Sequence, residues 1–359
     1  MTIEKKVAQM FLVGIGKKAD IVLVKRMIKK IGIGGVIIYS NNYKNYKEMI
    51  ELINELKECN KNNEYPLFIA IDQEGGRVNR MPVEFVNIKS AFELGSTNDN
   101  KLIEEAGGVT ARMLKESGIN MDFAPVLDIK NFDNNHPIGD RAFSDNVLKV
   151  CQDGISYMNS LKNSLVISVI KHFPGHGATK LDSHKILPII MDYKICGKKH
   201  LRPFKEAILN GAEAIMIGHI LVKGYTGLYP ASLSKKFIIS ELREKLKYKG
   251  VIVTDELSMK SITIIYGKHR AIKQAFVAGN DIISRKYYNG LEQDFYKIVS
   301  LVRQGKISMK RIEDSFKRII DLKEKYKLND HLVNGCNIAK VNKEIERINN
   351  LVLKSSSDS

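Results

Sequence analysis

No C-x-x-C pair and no apolar run of membrane-spanning length occurs in this chain of 359 residues. The four cysteines, Cys59, Cys151, Cys196 and Cys336, lie far apart. In a chain this long that spacing argues for free thiols in a reducing compartment and against a disulfide framework. No stretch approaches the roughly 18 apolar residues that a membrane span needs, and the opening "MTIEKKVAQMFLVGIG" has too short an apolar run for a secretory leader. A cytoplasmic protein without membrane insertion is the expectation. Zinc-finger spacings and RNP-type runs are missing too, so no nucleic-acid motif stands behind the formal charge of +17. The lysines are spread along the chain, as in "IGKKAD", "MIKKIG" and "CGKKHL". That pattern describes a generally basic surface, attractive to anionic partners, and no nucleic-acid partner is expected.

What is present is an alternation. With 44% hydrophobic and 27% charged residues the composition is that of an ordinary globular protein. Eight short apolar or β-branched runs, "VAQMFLVG", "GVIIY", "LFIAIDQE", "MDFAPVLDI", "LVISVIKHF", "AEAIMIGH", "VIVTDEL" and "DIIS", are separated by longer stretches of helical spacing such as "NYKEMIELINELKEC" and "SKKFIISELREKLK". Eight β-then-α units in about 300 residues predict a single (β/α)8 TIM barrel. A doubly wound open sheet is the runner-up, but "GIGKKAD" does not supply its G-x-G-x-x-G turn. The strand ends are the deciding feature, because barrel chemistry gathers at the carboxyl ends of the strands. Asp72 and Glu74, Asp128, Lys171 and His172, His219, and Asp255 and Glu256 all fall there. The catalytic barrel is expected over residues 1–330, and residues 331–359 as a short C-terminal helical tail that frays at its serine-rich end.

Residues 171–184, "KHFPGHGATKLDSH", carry three histidines, two lysines and an aspartate. That polar density predicts a loop, with Gly175 and Gly177 permitting movement, the Phe173-Pro174 bond a candidate cis peptide, and His176 assigned to loop structure. Asp182, two residues before His184, can hold its ring in one tautomer and prepare it as a general acid/base. Asp255, leaving an apolar strand, reads equally as a nucleophile or base and as a helix N-cap. Sugars are bound by carboxylates that accept from hydroxyls and by cations that donate to them, so Asp72, Arg80, Arg141, Lys171 and His172 together read as a polyhydroxyl clamp. Structural salt bridges are the competing reading for Arg77 and Arg141.

"IDQEGGRV", "KHFPGHG" followed by "DSH", "RPFKEAILNGAEAIMIGHI", "PASLS" and "GVIVTDELSM" occur in this order. Over most of its length the chain therefore resembles the bacterial β-N-acetylhexosaminidases of glycoside hydrolase family 3. The resemblance implies a retaining, two-step β-N-acetylglucosaminidase with Asp255 as nucleophile and His184, partnered by Asp182, as acid/base. It places a non-reducing N-acetylglucosamine on Asp72, Arg80, Arg141, Lys171 and His172. It also implies a small carbohydrate or muropeptide substrate in cell-wall recycling; apart from the resemblance, a monomer with no cofactor or metal is the expectation. The chain departs from the family's pattern at "IIYSNN" and at Glu256 after Asp255, which bears on fine substrate preference only.

Rival readings remain. A histidine acid/base repels an anionic acceptor less than a carboxylate would, which admits phosphorolysis. His172, His176, His184 and Asp255 can be drawn as metal ligands, although a Gly/Pro loop is a poor frame for them. A non-catalytic wall-binding barrel would have no use for a nucleophile beside an acid/base.

Overall fold

The computed structural model describes residues 1–131, 136–179 and 187–357, the side chains of 194–196 and 356–357 excepted. Eight parallel strands carry the fold: β1 (Phe11–Gly14), β2 (Gly35–Ile37), β3 (Phe68–Ile71), β4 (Met121–Asp122), β5 (Ile167–Phe173), β6 (Ala214–Ile217), β7 (Val251–Thr254) and β8 (Ile283–Lys286). Each pairs with its neighbours in chain order, and β8 pairs with β1. A parallel bridge between Val253 and Ile282 joins β7 to the approach of β8 and closes the ring. The register is regular where β1, β2 and β3 meet, with Leu12 opposite Gly35 and Ile37 opposite Ala70. Strands buried on both faces are apolar throughout rather than alternating, which is why these runs stand out in the sequence.

A helix follows every strand: α1 (Ile21–Ile31), α2 (Tyr46–Asn60), α3 (Asn100–Glu116), α4 (Val147–Asn163), α5 (Tyr193–Leu209), α6 (235–245), α7 (Lys268–Ala278) and α8 (Leu291–Arg303). Local chemistry sets many of their ends. Asn45, Asp99 and Asn146 cap α2, α3 and α4 by accepting from backbone N–H groups of the first turn. Gly32, at φ 74°, ends α1 in the left-handed conformation that favours glycine. The chain is thus an α/β protein built as a (β/α)8 barrel.

Three local expectations change. "VAQMFLVG" is not strand from its start, because Thr2 caps a helix over Ile3–Ala8 that buries Val7 and Ala8 before β1 begins at Phe11. In α6 only Lys235–Phe237 is α-helical and Ile238–Lys245 has the wider π form. The head of "KHFPGHG" is not loop: Lys171, His172 and Phe173 complete β5 and are buried. A strand tolerates this because each polar group meets a partner, as described below. The Phe173–Pro174 bond is cis as expected, and Lys171–His172 and Ala124–Pro125 are cis as well.

The helix Met309–Lys325 sends Lys323 to the amino ends of the strands, where Nζ donates to Gln9 Oε1 at 2.7 Å and to the carbonyls of Gly34 at 2.9 Å and Pro66 at 2.5 Å. After it a C-terminal helix, Ile338–Ser357, buries Val341, Ile345, Ile348 and Val352. Asn342 of this helix accepts from Val86 N–H at 2.9 Å and donates to Glu84 O at 2.8 Å. Asn349 accepts from Lys89 N–H at 3.1 Å and donates to Asn87 O at 2.9 Å. These bonds hold the segment that runs back from the β3 loop. Among the described residues no helix is long and apolar enough to cross a membrane.

Candidate active site

A cavity of about 1090 Å³ opens at the carboxyl ends of the strands. Its lining includes Asp72, Arg80, Arg141, Lys171, His172 and Asp255, six of the eight residues singled out from sequence. The other two, Asp182 and His184, lie outside the described residues. The described chain approaches them at Thr179, whose carbonyl accepts from His136 Nε2 at 2.9 Å and from Asn131 Nδ2 at 3.3 Å.

Lys171 is the centre of one half of the site. β5 delivers it into the barrel, where its Nζ lies 2.7 Å from Asp72 Oδ1 and 2.6 Å from Glu74 Oε1. Glu74 in turn accepts from Arg141 Nε at 2.7 Å and Nη2 at 2.8 Å, a two-pronged guanidinium contact. Burial alone would raise the Glu74 pKa, but Arg141 and Lys171 hold it well below the carboxylate range. Burial alone would lower that of Lys171, and Asp72 and Glu74 reverse the effect and hold it above the usual lysine value. The cluster is therefore charged and fixed in place.

His172 is fixed from behind. Its Nδ1–H donates to Asp128 Oδ2 at 2.7 Å, and its backbone N–H reaches the same oxygen at 3.2 Å. The other oxygen of Asp128 takes the backbone N–H of His176 at 2.5 Å. Asp128 is fully buried, which by itself would raise its pKa, yet His172 draws it below the usual value. The glycines expected as hinges are packing positions. A Cβ on Gly177 would sit 2.0 Å from Ile129 O, and one on Gly175, already at φ 119°, would sit 2.7 Å from His200 Cβ. His176 is buried, and burial lowers its pKa to about 4, so the ring is neutral.

Asp255 follows β7 directly. Its N–H donates to Ile217 O at 3.0 Å and its Oδ1 accepts from Glu256 N–H at 2.7 Å. It caps no helix, since the next one starts at Lys260 behind Met259. The turn is braced by His219, fully buried, whose Nε2 lies 3.1 Å from Glu256 O and whose Nδ1 lies 2.7 Å from Ser232 Oγ. Glu256 Oε1 accepts from the backbone N–H groups of Ser258 and Lys286, both at 2.9 Å.

Residues 2–322 match the model of the glycosyl hydrolase family 3 N-terminal domain. The chain belongs to glycoside hydrolase family 3. Within the family it is 31% identical over 328 residues to the β-hexosaminidase A of Pseudoalteromonas piscicida, across 84% of this chain and 55% of that protein. It is 33% identical over 257 residues to a β-hexosaminidase of Psychromonas ingrahamii, across 70% of this chain and 74% of that one. The solved structure of a family 3 β-N-acetylglucosaminidase from Paenibacillus sp. superposes with a TM-score of 0.89 at 31% identity, covering 98% of this chain and 69% of that one. The chain thus spans about half the length of the first of these relatives.

Three arginines, Arg77, Arg80 and Arg141, line this cavity, and their contacts differ. Arg77 serves the loop: its Nε bonds Asp140 at 2.6 Å and its Nη2 reaches the carbonyls of Pro137 and Ile138. Arg141 does serve a salt bridge, but one built into the clamp. Arg80 lines the cavity, and its Nη1 donates to Asn79 O at 3.3 Å. Sequence reasoning passed over Glu74 and Asp128 as site residues although it noted both at strand ends. It had no means of seeing that they hold Arg141, Lys171 and His172. Tyr39, whose hydroxyl lies 3.4 Å from Glu256 Oε2, was missed altogether. Only its place at the end of the second apolar run pointed to it.

Proposed function

We propose that this chain is a retaining exo-β-N-acetylglucosaminidase that removes a non-reducing terminal N-acetylglucosamine from peptidoglycan fragments during cell-wall recycling. The observation that carries the reading is the convergence of a charged, rigid polyhydroxyl clamp and the strand-end carboxylate Asp255 in one cavity. The family 3 relatives, named as β-hexosaminidases, support it. The wide cysteine spacing supports action in the cytoplasm, and a monomer is the assembly we infer. Residues 1–330 form the catalytic unit in this reading, with 331–359 as an appended brace.

In the binding step Asp72 and His172 take up sugar hydroxyls while Lys171, Arg80 and Arg141 donate to others. The Asp128 contact leaves Nε2 of His172 for the substrate. Asp255 then attacks the anomeric carbon, the bond to the leaving oxygen breaks, and His184 gives that oxygen its proton. In the second step His184, held by Asp182, takes a proton from water, which displaces Asp255 and restores the starting configuration. The Glu256 N–H bond keeps the attacking carboxylate oriented through both steps.

The test is release of chromophore from an aryl N-acetyl-β-glucosaminide by the wild type, Asp255→Ala and His184→Ala, each with and without chelator. Chelator-resistant turnover abolished in Asp255→Ala and reduced in His184→Ala is the expected result. A folded wild type without turnover would refute the reading. Appearance of N-acetylglucosamine 1-phosphate in added phosphate would reassign the second step to phosphorolysis.

A further inference from the structure

Between Glu213 and Glu241, and again between Glu256 and Asp281, the chain has no acidic residue, although it carries 40 in all. Among the cations of these two stretches are Lys223, Lys260, Lys268 and Arg270. The stretches meet at the rim of the barrel. One forms the turn beyond β6 that carries Leu228, and the other forms the short helix Lys260–Tyr266, whose first residue lines the sugar cavity. Tyr266 donates its hydroxyl proton to Leu228 O at 2.7 Å, the Tyr229 and Tyr266 rings lie 5.4 Å apart, and Arg270 Nη2 reaches the Tyr229 hydroxyl at 3.1 Å. Turn and helix are thus one prominence.

Its tip is apolar and convex. Leu228 is 87% exposed, Ile264 75% and Ile265 54%. A Cβ on Gly224, Gly227 or Gly267 would meet nothing within 4 Å, so the chain beside the tip stands clear of the fold on both segments. Among the described residues no ion pair engages Lys223, Lys260, Lys268 or Arg270. Asp294, an acid that meets this region at His269, is itself buried.

Exposed aliphatic residues on a projection, with cations around them and no acid in either segment, suit a surface that is negative outside and apolar within. A second copy of the chain fits poorly, because the same cations would face each other across a two-fold contact. A protein partner would have to offer a pocket shaped to the tip, whereas a fluid bilayer needs no such match. We propose that this prominence is a peripheral contact surface for an anionic lipid bilayer. Leu228, Ile264 and Ile265 enter the boundary between headgroups and acyl chains, and the surrounding cations meet lipid phosphates. Ile264 follows Lys260 of the cavity wall by one helical turn, so seating holds the cavity mouth beside the headgroups with no spanning segment. The assignment does not depend on which sugar the cavity takes.

The test is co-sedimentation of the full chain with vesicles of phosphatidylcholine alone and of equal parts phosphatidylcholine and phosphatidylglycerol, at low and raised salt. The wild type is compared with a tip variant, Leu228→Ser/Ile264→Ser/Ile265→Ser, and a rim variant, Lys223→Gln/Lys268→Gln/Arg270→Gln. A third variant, Lys29→Gln/Lys306→Gln/Lys310→Gln, removes the same charge from the amino-end face of the barrel. All nine positions are exposed, and the rim variant keeps the test decisive if the tip variant fails to fold. We expect the wild type to partition onto the mixed vesicles about tenfold or more above phosphatidylcholine alone, with the preference shrinking as salt rises. The tip and rim variants should each lose about tenfold of that partition, and the third variant less than about twofold. No binding by the wild type would overturn the proposal. Equal losses in the rim and third variants would overturn it too, by showing attraction through the net charge of +17 alone. A wild-type dimer in sedimentation velocity that only the tip variant dissociates would assign the surface to a second copy and overturn it as well.

Discussion

Glu74 shows what single residues contribute here. It contacts Lys171 and Arg141 at once; Glu74 and Lys171 are buried and the Arg141 side chain is largely so. Neutralising it would leave two desolvated cations sharing the Asp72 carboxylate, and breaking a buried pair costs about 3–5 kcal/mol. Glu74→Gln is therefore expected to lower the denaturation midpoint by a clear margin and to raise KM at least as much as it lowers kcat, because it disorders the clamp and not the attacking group. His219→Ala should do the reverse. It strips Glu256 O and Ser232 Oγ of their shared imidazole and loosens the Asp255 turn, so kcat should fall about tenfold or more with KM little changed. Steady-state kinetics on an aryl N-acetyl-β-glucosaminide separates the two outcomes.

At the scale of elements, the C-terminal helix is the part with an unexpected task. Its Asn342 and Asn349 each take one backbone N–H and one carbonyl from the 84–89 segment, a pairing that otherwise only strand or helix would provide. That segment continues the loop bearing Asp72, Glu74 and Arg80, so the helix braces the clamp from outside the barrel. Asn342→Ala/Asn349→Ala is expected to speed amide exchange at Val86 and Lys89 by about tenfold or more and to raise KM a few-fold. Unchanged exchange at those two amides would show that the brace is redundant. The element pattern itself was legible beforehand, since buried parallel strands are apolar and capped amphipathic helices follow them. The extension of β5 through Lys171 and His172 was legible in part: the run "LVISVIKHF" passes through both, while the polar density of residues 171–184 predicted loop from Lys171 onward. Its polar letters read as loop because the acids that satisfy them, Asp72, Glu74 and Asp128, sit more than forty positions away.

For the whole molecule, the two ends of the barrel titrate differently. At the mouth, burial holds His176 and His200 at about 4 while an unfolded histidine titrates near 6.5. Between those values the unfolded chain binds more protons, so stability falls as pH drops from about 6.5 towards 4. The lowered values of Glu74 and Asp128 continue the loss at lower pH, as their carboxylates must be protonated. At the opposite end burial lowers Lys323 to about 7 from 10.5. There too the unfolded state holds more protons, so this group adds stability as pH rises from about 7 towards 10.5. Chemical denaturation across pH 4–10 should show both slopes. Lys323→Met should flatten the alkaline slope and leave the acid one.

The order of apolar runs and the polar strand ends are local properties, and they were enough to predict the barrel, while ordered motifs such as "IDQEGGRV", "KHFPGHG" and "GVIVTDELSM" carried the resemblance to the family and the residues worth testing. Which of those residues touch was decided only by closing eight strands into a ring. Closure brings Asp72 just after β3, Lys171 of β5 and Asp255 just after β7 to one mouth and places Glu74 between Arg141 and Lys171. Pair distances between residues far apart in the chain depend on strand register and side-chain packing, and no spacing along the sequence carries that information.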